Sequence, residues 1–167
     1  MVTSHHTHHK IKRTVNWFLI ILVAIFVAFL VQVFRTPADR LAKMVANPST
    51  RNIELHLRHL KIKAELARTD SERSHGLSDR NSLSEFAGLL FVFPEPSKPS
   101  FWMKDTNFPL DIIWIDKRLK IVGIEKNVAP DSYPDTFSPP SPIRYVLEVN
   151  GGLTDNFNIN PGDDVGI

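Results

Sequence analysis

From residue 53 onward, apolar and polar side chains alternate. IELHL (53–57) and LKIKAELA (60–67) carry an apolar residue at every second position, the period of a half-buried strand. GLLFVF (88–93) is a short wholly apolar run, which predicts a buried strand. DIIWID (111–116) and LKIVGIEKNV (119–128) predict two more strands, with DKRL (116–119) as their hairpin turn. RYVLEVN (144–150) adds a strand, and NPGDDVGI (160–167) reads as a turn entering a terminal one. Between them, TDSERSHGL (69–77) predicts one or two helical turns, capped by Thr69 or Asp70 and closed by Gly76. GGLTDNFNI (151–159) is a turn plus a short helical piece. Nine of the 12 prolines lie between residues 94 and 142, in the connections. The pattern predicts a mainly β domain, a compact antiparallel β-sandwich or jelly-roll-like barrel with one or two short helices.

The N-terminal third follows a different pattern. Residues 17–34, WFLIILVAIFVAFLVQVF, contain one polar side chain, Gln32. As a helix this stretch spans about 27 Å, close to a bilayer core, with Trp17 at one boundary. The run is longer than a signal-peptide core and lacks a small-x-small cleavage site, so an uncleaved transmembrane helix contacting the lipid bilayer is expected. Lys10, Lys12 and Arg13 precede it, and a short basic tail favours a cytoplasmic N-terminus and an extracytoplasmic domain. Residues 1–16, with His5, His6, His8 and His9, read as a basic, solvated tail. Residues 35–52 read as a stalk whose helix is capped by Thr36, begun by Pro37 and ended before Pro48. The β-rich domain is expected over 53–167.

Charge divides at the same boundary. Residues 1–53 hold seven Lys/Arg and one acid, whereas residues 54–167 hold 13 Lys/Arg and 17 Asp/Glu. The folded part is therefore acidic, which argues against a nucleic-acid partner. Cysteine is absent, so disulfides and thiolate chemistry are excluded. His56, His59 and His75 have no metal-ligand spacing with a third residue, and no phosphate-binding glycine loop or serine elbow occurs, so neither a metal nor a cofactor is expected.

The densest chemistry lies in FWMKDTNFPLDIIWID (101–116). Asp111 and Asp116 are five residues apart on one strand, about 17 Å along it and on opposite faces, so they cannot form a catalytic carboxylate pair. Asp105 and Asp111 can approach if TNFP folds back, and Glu148 can join from another strand. Structural roles also fit these groups: Asp111 capping a turn, Asp116 opening the hairpin and Glu148 paired with an arginine. Ile112 and Trp114 share one strand face and Ile113 and Ile115 the other, which predicts a central buried strand. Trp102, Met103, Lys104 and Asp105 form an aromatic and charged cluster suited to gripping a sugar ring or a peptide. Arg73 and Arg80 bracket the short helix, and either can fork a carboxylate such as Asp111 or Glu148, or an anionic ligand.

Several separate stretches also resemble one family in order and spacing. Gly76, Leu77 and Arg80 match its Gly-Leu-x-x-Arg segment, and Phe101 to Thr106 its Phe-Trp-Met-Lys-Asn-Thr segment. Pro109, Leu110 and Asp111 match Pro-Leu-Asp, and Leu147 to Asn150 match Leu-Glu-Val-Asn. From about Ile53 to Ile167 the chain resembles the family known as domain of unknown function 192. The resemblance implies a small β-rich, jelly-roll-like domain, often exported or membrane-tethered, and brings no established activity. Asp105 stands where the family usually has Asn, replacing a donor–acceptor amide by an acceptor. The expectation is a membrane-anchored extracytoplasmic domain that binds an envelope glycan, a peptide or a membrane-protein partner without catalysis. The alternative is a hydrolase acting on a cell-envelope polymer through Asp105, Asp111 or Glu148.

Overall fold

The alternating stretches form the first hairpin. In β1 (Asn52–Leu57) Ile53, Leu55 and Leu57 are buried, and in β2 (Leu60–Ala67) Leu60, Ile62 and Ala64 face them from the same side. The two strands pair antiparallel from Asn52↔Glu65 to Leu57↔Leu60, leaving Arg58 and His59 as the loop. The computed structural model describes residues 17–33 and 36–167, and the chain divides into two compact units, Met1–Arg35 and Thr36–Ile167. The His-rich tail expected over 1–16 lies outside the described residues.

β3 (Ala87–Ser97) runs parallel to β2, with Lys63↔Ala87 to Ala67↔Phe91 in register. A parallel neighbour requires a crossover rather than a hairpin. Residues 68–86 supply it and carry helix α3 (Asp70–His75). The remaining strands are antiparallel: β3 pairs with β6 (Ile143–Asn150), β6 with β4 (Leu110–Ile115), and β4 with β5 (Ile121–Val128). The short β7 (Val165–Gly166) adds to β1, giving one seven-stranded sheet ordered β5-β4-β6-β3-β2-β1-β7.

This sheet is curled into a half-barrel, so the domain is mainly β with few short helices as expected, but it is one sheet with a parallel pair rather than an all-antiparallel sandwich or closed barrel. At one end its two edges meet. Lys120 bridges Asp164, Ile121 N–H donates to Asp163 C=O, and Val165 N–H donates to Leu119 C=O. Curling lets a single sheet bury both faces of its central strands without a second sheet, so every residue of β4 is buried. The inner face holds Leu55, Ile62, Ile113, Ile115, Tyr145 and Leu147. The outer face holds Leu89, Phe91, Ile112, Trp114 and Val146, covered by Leu77, Met103 and the partly buried Phe101. Ile112 with Trp114 and Ile113 with Ile115 divide between these faces as the alternation predicts.

Helix α2 (Pro37–Ala46) belongs to this second unit. Thr36 caps the helix and Pro37 opens it, as the sequence predicts, and Asp39 completes a capping box with Thr36. The segment read as a stalk lies against the domain, with Leu41 and Val45 buried in the inner core. Arg68 then ties its end down by donating to the carbonyls of Val45 and Asn47.

Helix α1 (Trp17–Val33) occupies the segment where a transmembrane helix is expected. Its described part comprises 17 residues, about 25 Å at the helical rise. Among the described residues no helix is long and apolar enough to cross a membrane.

Candidate functional site

Alternation along β4 and β6 separates the two buried carboxylates. Ile112 pairs with Glu148, so Glu148 lies on the outer face, while the adjacent pair Asp111↔Val149 points inward. Asp111 is fully buried, and four donors converge on it. Asn127 N–H donates at 2.7 Å and Gly152 N–H at 2.9 Å to one oxygen; Thr154 N–H and Thr154 Oγ1 each donate at 2.7 Å to the other. Asp111 thus caps helix α4 (Leu153–Asn156) from a neighbouring strand, a role that Gly152 at the helix N-cap has no side chain to fill. The same region is fixed by Gly151 N–H donating to Pro109 C=O. A β-carbon at Gly151 would lie 2.6 Å from Asn127 Oδ1 and 2.9 Å from Pro109 Cβ, which only glycine avoids. Asn150 Nδ2 donates to the carbonyls of Leu83 and Ser84 and pins the end of the crossover.

Glu148 has the opposite environment. It is 5% exposed, and among the described residues no donor is hydrogen-bonded to its carboxyl. Burial pushes the carboxyl up to about 8, since nothing offsets the loss of water around its ionised form. It reaches a cavity of about 350 Å³ on the outer face. One wall is α3 and the turn after it, including Arg73, His75 and Ser78; the other is the segment from Pro99 to Thr106, with Trp102 and Lys104. Phe91, Phe93 and Phe101 add aromatic surface. Phe101 packs edge-on against Phe91 and Trp114, with ring centroids 4.8 and 5.4 Å apart.

Local sequence builds both walls. Thr69 and Glu72 form a capping box that starts α3, and Gly76, at φ +55°, stops it and turns the chain over Phe91. The other wall holds a tight turn in which Asp105 adopts φ +55° and its carbonyl accepts from Asp79 N–H at 2.8 Å. Ser78 Oγ donates to Lys104 C=O at 3.0 Å, so the two walls are hydrogen-bonded to each other.

The sequence-predicted site residues separate into two groups. Trp102, 49% exposed, and Lys104 line the cavity with Glu148 and Arg73. Met103, proposed beside them as a binding residue, is 2% exposed and packs in the outer core beside Phe101 and Trp114, at the start of the turn through Lys104 and Asp105. Asp105 is exposed and is not among the cavity's lining residues. Its left-handed backbone suits Asn and Asp alike, which accounts for the exchange of one for the other without invoking a required amide.

Neither arginine forks Asp111 or Glu148. Arg80 donates to both oxygens of Glu65 at 2.8 and 2.9 Å, holding that carboxyl below its usual range, and it lines a separate cleft. Arg73 pairs with Asp70, donates to the carbonyls of Arg68 and Val92, and lies 5.2 Å above the Phe93 ring. Asp105, Asp111 and Glu148 therefore do not form a shared carboxylate site. Asp116 accepts from the N–H groups of Arg118 and Lys120 at 2.8 and 2.9 Å, the hairpin role expected for it. Among the described residues no group of three His, Cys, Asp or Glu can hold a metal.

Phe91, Phe93 and Thr106 are the contributors that sequence reasoning missed. The available signal was the position of Glu148, the one carboxylate of its strand, on the same face as every second residue of GLLFVF once β3 and β6 pair.

Comparison with known proteins gives a family without an activity. Residues 53–167 match the model of the DUF192 family, described as an uncharacterised ACR. A solved protein of unknown function from Novosphingobium aromaticivorans DSM 12444 is 31% identical, with a TM-score of 0.67 over 72% of this chain and 90% of that one. A solved protein from Sinorhizobium meliloti 1021, named as a candidate transcription regulator, is also 31% identical, with a TM-score of 0.64 over 68% of this chain and 90% of that one. No curated protein matches the chain.

Proposed function

The chain belongs to the DUF192 family, and we propose that its domain is a non-catalytic binding module that takes a small ligand into the cavity lined by Glu148 and Trp102. One observation carries this reading. Within the stretches 76–80, 101–111 and 147–150, Leu77, Arg80, Met103, Asp111 and Asn150 each pack in a core or satisfy a backbone or ion-pair partner. Trp102, the Lys104 ammonium and the Glu148 carboxyl have no such partner among the described residues, and all three line one cavity. A concave site that combines aromatic surface with convergent polar groups is a usual form of ligand pocket, and about 350 Å³ lies at the small end of that range. A glycan or peptide would insert one terminal group rather than lie along the site.

The setting we propose is a membrane surface. Helix α1 is apolar on all sides apart from Gln32, and such a helix needs a lipid or protein environment. A tether through residues 17–34, with the basic tail cytoplasmic, would present the domain on the extracytoplasmic side to an envelope ligand or a membrane-protein partner. A nucleic-acid role, suggested by the name of the Sinorhizobium relative, finds no support in a folded part with 17 acids against 13 Lys/Arg.

The hydrolase alternative narrows to Glu148. A buried carboxyl raised toward neutrality suits a general acid, yet Asp111 is occupied on the opposite face and Asp105 lies outside the cavity. The test is a thermal-shift and tryptophan-fluorescence screen of the full chain against metabolites, glycan fragments and peptides. A ligand that stabilises the protein, and loses that effect in Trp102→Ala, is the expected result. Release of product from a bound ligand would move the assignment to an enzyme.

A further inference from the structure

The charges around the cavity discriminate between ligand classes. Besides Glu148, its ionisable lining groups are Asp70, Arg73 and His75 from α3 and its end, and Lys104 from the facing segment. Asp70 and Arg73 neutralise one another. Lys104 is exposed and makes no ion pair among the described residues. On the sheet, Glu148 is flanked by Leu89 of β3 and Ile112 of β4, both apolar. The carboxyl therefore has no cation beside it on the sheet, and the unpaired formal charge at the cavity is positive.

We infer, resting on the reading of this cavity as a ligand site, that its ligand is an uncharged or anionic molecule with an apolar ring or chain, bearing at its buried end an oxygen acceptor that receives the Glu148 O–H. Phe91, Phe93 and Phe101 give the apolar body its contact surface, and Lys104 at the wall tolerates neutral or negative charge. A cationic ligand would meet Lys104 and would require Glu148 to ionise where burial already opposes it. A carbonyl, ester or hydroxyl oxygen would receive the Glu148 O–H, which opens into the cavity and has no hydrogen-bond partner in the protein among the described residues.

The inference is tested with two probes sharing one ring, cyclohexanone and cyclohexylammonium, added to the isotope-labelled full chain in nanodiscs. Binding is read from the amide signals of Phe101 and Thr106, at pH 6 and pH 9, for the native protein and Glu148→Gln. Cyclohexanone is expected to shift both signals and to bind about tenfold more weakly at pH 9, where a carboxyl titrating near 8 is mostly ionised. Glu148→Gln, a neutral donor at both values, is expected to keep the pH 6 affinity within about threefold and to lose the pH dependence. Cyclohexylammonium is expected to bind at least about tenfold more weakly than the ketone at pH 6. Tighter binding of the ammonium ion, increasing with pH, would make Glu148 a counter-ion and overturn the inference while leaving the ligand site intact. Ketone binding that ignores both pH and Glu148→Gln would do the same. If neither probe moves the two signals, the ligand-site reading falls as well.

Discussion

Asp111 holds Thr154 by two hydrogen bonds of 2.7 Å, one from its amide and one from its hydroxyl, both to the same carboxylate oxygen. The other oxygen takes two more backbone donors, so replacing it with an amide must turn an N–H toward an N–H. Asp111→Asn is expected to cost about 2–4 kcal/mol, because buried donors lose one of their acceptors. Urea unfolding with unchanged m-value would measure it; a loss below about 1 kcal/mol would show that the hub is not structural.

Glu148 should make stability fall with rising pH. Its folded carboxyl titrates near 8 and its unfolded one near 4.5, so the native state holds a proton that the unfolded state has released between these values. The stability it contributes is fully present below about 4.5 and is lost as pH rises to about 8, at up to ~1.4 kcal/mol per pH unit. Comparing Tm from pH 5 to 8 for native protein and Glu148→Gln checks the sign. The native curve should fall more steeply, and parallel curves would place the carboxyl in water.

Neighbouring residues 102 and 103 should behave in opposite ways. Met103→Ala removes a side chain that is 2% exposed and is expected to cost about 2–5 kcal/mol. Trp102→Ala removes one that is 49% exposed and should change stability by about 1 kcal/mol or less while abolishing ligand response. Denaturation midpoints for the two variants, measured together with the ligand screen, separate packing from recognition.

At Asp105 the backbone rather than the carboxylate should matter. Asp105→Asn is expected to be neutral, and Asp105→Ala to cost about 1 kcal/mol, since a β-carbon without a local polar group is disfavoured at φ +55°. Asp105→Gly should restore the loss. Equal effects of Asn and Ala on ligand binding, without any on stability, would reassign the side chain to recognition.

These contrasts mark what was legible in the sequence. Strict alternation located β1 and β2, a run apolar on both faces located the buried β4, and the caps Thr36 and Thr69 located α2 and α3, because each signal is local. The single curled sheet was not legible. The β2–β3 parallel pair and the seam between Lys120 and Asp164 depend on segments distant in sequence, and strand count alone does not distinguish one closed-up sheet from two stacked ones. The site was half legible. Trp102 and Lys104 stand out by type, but the face of Met103 and the separation of Asp111 from Glu148 follow only from pairing β4 with β6 in a defined register. The partner of Arg80, Glu65, lies across the crossover and has no local signature.

The crossover from 68 to 86 has one further consequence. A parallel strand pair cannot exist without a connection of this kind, so the wall that carries Arg73, His75 and Ser78 cannot be trimmed away without taking β3 out of the sheet. Its cavity-facing side chains that hold no partner, such as His75, can vary so long as Arg68, Thr69, Glu72, Gly76, Leu77 and Arg80 hold its path. Selectivity in this scaffold can therefore drift by point substitution along an obligatory segment, and chimaeras that exchange only that segment between relatives should exchange preference while keeping the architecture.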